Sequence, residues 1–130
     1  MKVRAAGVTP LDWHGMRGTP SLMRLGGGLR RPNDLRLGVD FAGTVESVGA
    51  RVTRFKPGDA VFGGRSGALA EYLVVRQDRA VALKPDTVDF EQAAGVGIAA
   101  TPARQGRRDA GRGAAGDRVL VNGASGGVGT

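Results

Sequence analysis

Arg118-Val-Leu-Val-Asn-Gly-Ala-Ser-Gly-Gly-Val-Gly-Thr130 is the stretch on which the reading of this chain turns. Val119-Leu120-Val121 is a short apolar run of the kind that forms a strand buried on both faces, and it leads into glycines at spacing three, Gly123, Gly126 and Gly129. Glycine at such places permits a tight turn, close approach of backbone N–H groups to a pyrophosphate, and close packing of the helix that follows. A glycine triad alone is a weak signal in a chain with 23 glycines, and the strand ahead of it supplies the context of a dinucleotide phosphate loop. Gly123, Ala124, Ser125, Gly126, Gly127, Val128 and Gly129 are therefore the candidate cofactor contacts.

A doubly wound dinucleotide domain needs several βαβ units, and only one of its strands is visible in these 130 residues. At the other end, Lys2–Val8 alternates like the middle of a strand with no hairpin partner before it. Both ends point to a piece of a longer protein. Between them, residues 3–84 alternate short β-like runs with turn signals, the texture of a small barrel or sandwich. Phe41–Val48, Ala60–Phe62, Ala68–Val75 and Ala80–Leu83 are the strand candidates, and Pro57-Gly58 fits the centre of a type II turn. Gly15–Asp34, broken by Gly26-Gly27-Gly28 and Pro32, reads as a mobile loop.

After Pro85 the pattern becomes helical. Asp89 with Gln92 forms a capping box ahead of Ala93-Ala94, and Thr101-Pro102 is expected to open a second helix that ends near Gly111. Ala103–Ala110 offers no apolar stripe, so Arg104 and Arg107 are expected on an exposed or frayed helix.

Composition excludes several classes. There are no cysteines, hence no disulfide and no thiolate metal site. No uncharged run approaches the roughly 20 apolar residues that span a bilayer, and no signal-peptide pattern opens the chain, so a soluble cytoplasmic protein without a membrane partner is expected. The net charge of +7 is spread along the chain with few aromatics between, which argues for a solvated basic surface over a nucleic-acid partner. His14 is the sole histidine, and with Asp12 it makes at most part of a metal site, so no metal is expected.

Five segments in order, Ala6–His14, Leu37–Gly43, Phe55–Asp59, Gly67–Tyr72 and Gly123–Gly129, resemble the medium-chain dehydrogenase/reductases, and within them the zinc-independent quinone oxidoreductase-like branch. The resemblance implies a β-rich GroES-like partial barrel over residues 1–88, followed at 89–130 by the first elements of an α/β Rossmann domain. It also implies an NAD(P)H-dependent oxidoreductase, with NADPH favoured over NADH, that reduces quinones, enones or related carbonyls by hydride transfer, often as a homodimer. Zinc-dependent relatives carry cysteine where this chain has Thr9 and His-Glu where it has Val39-Asp40, which implies no catalytic zinc.

Carried over residue by residue, Thr9 falls where relatives place an asparagine lining the nicotinamide and substrate cleft. His14 falls where they place a tyrosine or histidine facing it, with a surface histidine as the equal alternative. Asp12 reads as an orienting or turn-capping carboxylate in preference to an acid–base. Pro102 replaces a threonine that approaches the nicotinamide, and Arg104 and Arg107 replace buried leucines. These departures keep open an alternative, a non-catalytic GroES-like module or diverged remnant acting through protein binding, and the 130-residue piece alone is expected to be inactive.

Overall fold

The computed structural model describes residues 1–18, 21 and 36–129. Four strands, β1 (Lys2–Gly7), β2 (Asp40–Thr44), β3 (Ala60–Gly64) and β4 (Val81–Leu83), form one antiparallel sheet in the order β1-β2-β3-β4. Three of the five expected strands lie where the alternation put them, and β2 stops at Thr44, short of the expected Val48. The Ala68–Val75 run differs: only Tyr72 bridges to Lys2, supported by Val3 N–H donating to the Glu71 carbonyl at 2.9 Å and Leu73 N–H to that of Met1 at 3.0 Å. Ala68 and Leu73 turn inward here as core residues, so the segment bends over the sheet edge instead of following it.

β2 is the centre of the molecule because both of its faces are covered. Phe41 packs with Val45, Val61, Ala68 and Leu73 on one side, while Ala42 meets Ala93 and Ala94 on the other. Phe41 and Val61 are fully buried, and withdrawing each such side chain from water contributes about 1.5–3 kcal/mol. The second layer is supplied by helix α2 (Phe90–Ala94), which begins as the capping box requires: Gln92 N–H donates to Asp89 Oδ1 at 2.7 Å and Asp89 N–H to Gln92 Oε1 at 3.2 Å. The expected turn at Pro57-Gly58 is also present, with Gly58 at φ +93° and Asp59 N–H donating to the Lys56 carbonyl.

The sequence reading missed a helix. Pro10–Arg17 forms α1, with Thr9 as its extended N-cap, Pro10 in the first helical position and Gly18 closing it in the left-handed region at φ 59°. Gly15–Gly18, expected as loop, thus ends this helix; apart from Ser21, the remainder of that expected loop lies outside the described residues.

The second expected helix begins earlier than its Thr-Pro pair suggested. α3 spans Ala100–Arg104 with Ala99 as N-cap, and the winding widens to a π-helical turn over Gln105–Ala110 before Gly111. Pro102 occupies the third helical position, where its missing N–H is still one that no preceding turn would have satisfied. Thr101 uses its hydroxyl to donate to the Gly97 carbonyl at 3.0 Å and does not cap. Every residue from Ala100 to Arg112 is exposed, as the missing apolar stripe predicts.

Val119–Val121 overturns an expectation. It is neither a strand nor buried; Leu120 is 94% exposed. A parallel strand is stable only with neighbours beside it and layers on both faces, and among the described residues nothing supplies either.

Candidate active site

The site is assembled at one end of the sheet, where Gly7, Asp40 and Gly64 stand in register across β1, β2 and β3. Beyond Gly7 the chain enters α1, and the Asp12 carboxylate ties that entrance together. Its Oδ2 accepts from Thr9 N–H at 2.7 Å and from Thr9 Oγ1 at 3.2 Å, and its Oδ1 accepts from Gly38 N–H at 3.1 Å. Asp12 is buried, acts within the first turn of the helix and binds it to the segment preceding β2. A carboxylate so fully used as an acceptor orients its neighbours, which is the role expected for it.

Asp12 and His14 are not brought together. Two residues along a helix rotate the direction by about 200°, so His14 leaves from the opposite side. It shares a face instead with Pro10, four residues back. His14 is half-buried and its ring stacks on Trp13 with centroids 3.8 Å apart and planes at 24°. Thr9 is likewise half-buried, and its hydroxyl proton is directed to Asp12.

The glycine loop reaches the same helix. A Cβ placed on Gly127 would sit 3.3 Å from Pro10 Cδ, so the loop and the start of α1 touch although they lie far apart in sequence. The loop is coiled on itself: Gly126 N–H donates to the Gly123 carbonyl at 2.9 Å and Gly129 N–H to that of Gly126 at 3.0 Å. Gly123 adopts φ +77°, and a Cβ on Gly129 would fall 2.4 Å from the Gly123 oxygen, so side chains are barred from both places. Among the described residues, the amides of Ala124, Ser125, Gly127 and Val128 have no protein acceptor. A compact loop with spare N–H groups fits a pyrophosphate.

Asp40 was not singled out as a site residue from sequence. It is fully buried on the face of β2 that α2 covers, and Oδ1 accepts from Ile98 N–H at 2.7 Å. Gly97 makes this approach possible, since a Cβ there would lie 2.5 Å from that oxygen. The other oxygen, Oδ2, is buried without a partner. Burial pushes the Asp40 carboxyl above the usual aspartate range, the Ile98 amide draws it partly back, and the nearby Asp12 charge adds to the rise. An aspartate flanked by Val39 and by Phe41-Ala42 was the available signal: a charge inside an apolar strand has to be either paired or neutral. Among the described residues no three His, Cys, Asp or Glu side chains gather as metal ligands, and no helix is long and apolar enough to cross a membrane.

An antiparallel β-domain whose one end carries a capped helix in contact with a glycine loop defines the class, and sequence comparison agrees. Residues 1–86 match the alcohol dehydrogenase GroES-like domain, and the chain belongs to that family. Its similarity runs further, to quinone oxidoreductases of the medium-chain dehydrogenase/reductase type. It is 39% identical over 132 aligned residues to the quinone oxidoreductase of Lama guanicoe, covering 99% of this chain and 37% of that protein. Among solved structures it resembles the quinone oxidoreductase from Coxiella burnetii at a TM-score of 0.79 and 31% identity, over 98% of this chain and 40% of the other. A mycobacterial protein complexed with NADPH gives a TM-score of 0.78 and 30% identity, over 99% and 38%. The chain therefore spans less than half the length of the relatives it matches.

Proposed function

We propose that this chain is the substrate-side domain and first cofactor contacts of a zinc-independent, NADPH-preferring oxidoreductase that reduces quinones, enones or related carbonyls. The observation that carries the reading is the contact between Gly127 and Pro10, because it sets a loop suited to pyrophosphate against the helix that bears Thr9 and His14. Residues 1–88 form the GroES-like part and 89–130 the beginning of the nucleotide domain, a division supported by the helix start at Asp89. Gly123–Gly129 would hold the diphosphate through backbone N–H groups. The nicotinamide, when bound, supplies the hydride. Thr9 offers a hydroxyl and His14 a ring nitrogen as hydrogen-bond donors to a substrate oxygen, and Asp12 holds the first turn that presents them. Thr9 and Val39 are poor metal ligands, which favours polarisation by hydrogen bonding over a Lewis acid. A cytoplasmic location and a homodimer complete the reading.

The test is a chimera in which this chain replaces the matching part of the Coxiella burnetii quinone oxidoreductase. NADPH fluorescence titration and NADPH-dependent reduction of 1,4-benzoquinone should both be positive, and the 130-residue chain alone should not turn over. A folded chimera that binds neither nicotinamide nucleotide removes the proposal. One observation favours a second reading, a non-catalytic module that binds another protein: Val119–Val121 and the arginine-bearing helix are wholly exposed. A chimera that binds nucleotide yet leaves the quinone unreduced would move the choice to that reading.

A further inference from the structure

A second recess, of about 470 Å³, lies on the far side of the segment that Asp12 anchors. Its two walls are zipped together by the backbone: Arg65 N–H donates to the Val39 carbonyl at 2.7 Å, Gly67 N–H to that of Gly38 at 3.0 Å, and Leu69 N–H to that of Leu37 at 3.1 Å. These bonds fix what the walls carry. Arg36 comes from one and Arg65 from the other, and the Arg36 stem lies along Gly67, whose Cβ position would be 3.5 Å from Arg36 Cβ. Ser66 and Tyr72 add hydroxyl groups, while Leu37 and Leu69 are apolar and substantially exposed. No carboxylate lines the recess, and Arg65 makes no ion pair among the described residues.

Two guanidinium groups set into one concavity with no acid between them form a field that a single anion would relieve, and their planar forks match a carboxylate. Apolar walls beside that charge suit a hydrocarbon body. We propose that this recess binds a small amphiphilic anion, a carboxylate carried on an apolar body, with Arg36 and Arg65 holding the carboxylate and Leu37 and Leu69 the hydrocarbon. Its occupancy needs no nicotinamide, so it stands or falls separately from the oxidoreductase reading.

The probe is 4-phenylbutyrate, titrated into the 130-residue protein while backbone amide resonances are followed by NMR. Shifts confined to residues 36–38 and 65–74 are expected. Affinity should fall at least tenfold in Arg65→Gln, recover in part in Arg65→Lys, and stay unchanged in Arg76→Gln, which removes an exposed arginine paired elsewhere with Asp78. 4-Phenylbutanol should bind at least tenfold more weakly. Absence of localised shifts, equal binding of the alcohol, or indifference to Arg65→Gln would each overturn the proposal. So would inorganic phosphate shifting the same residues at the same concentration, because the hydrocarbon walls would then contribute nothing.

Discussion

Replacing Asp40 by asparagine should change how stability depends on pH more than it changes stability itself. In the parent, burial raises the carboxyl above the ordinary aspartate range, so the folded chain holds its proton more tightly than the unfolded chain. The contribution of Asp40 is then fully present below the unfolded value, and is lost as pH rises from that value through the raised one. Asparagine can still accept from Ile98 N–H and has nothing to ionise. Asp40→Ala differs: it takes the acceptor from a buried amide that now bonds at 2.7 Å. Leaving that N–H unmatched costs about 1–3 kcal/mol. In a domain of this size the loss corresponds to a Tm lower by roughly 4–12 °C. Circular dichroism melts of parent, Asp40→Asn and Asp40→Ala between pH 3.5 and 8 provide the measurement. The parent-minus-Asn difference should decline with rising pH, and Asp40→Ala should be least stable at the acid end. Parallel pH curves for parent and Asp40→Asn would show that Asp40 is ionised in the fold and that the argument from burial is wrong.

Other expectations can be checked on the same material. Asp12→Ala removes the acceptor for Thr9 N–H and Gly38 N–H and should cost about 2–3 kcal/mol in urea unfolding; a change under 0.5 kcal/mol would deny it the anchoring role. Gly129→Ala in the chimera places a Cβ against the Gly123 oxygen and should weaken NADPH at least tenfold by fluorescence titration, with unchanged affinity removing the glycine loop from the site. Asp89→Ala should lose about 1 kcal/mol of stability while Asp89→Ser keeps most of it, because either oxygen can cap Gln92 N–H.

Local chemistry made most of the β-domain legible. Alternation located β1, β3 and β4, Lys56-Pro-Gly-Asp59 announced its turn, and Asp89 with Gln92 announced α2. Helix α1 had an equally local signal in Thr9-Pro10 followed by Asp12, and it was obscured because a side chain at the third position was sought as Glu or Gln and because Gly15 interrupts the apolar pattern. The stretch Val119–Val121 failed for another reason. Hydrophobicity says that a segment would be stable if buried, and burial depends on what else the chain provides. At the site, the glycine loop and the Thr9–His14 segment were each readable, but their contact through Pro10 was not, since it joins residues with no shared periodicity. Asp40 escaped for a similar reason: its bond to Ile98 spans 58 positions.

Strand β4 carries a consequence for how molecules of this protein meet. It is three residues long, and Lys84-Pro85 follows at once, with the Lys84 ammonium donating to the Val88 carbonyl. A foreign strand arriving at that border would find too few free backbone groups to zip against, and then a proline that offers no N–H. Growth of the sheet from one molecule into the next is thereby checked on that flank, and crowding in solution should leave these molecules dispersed there.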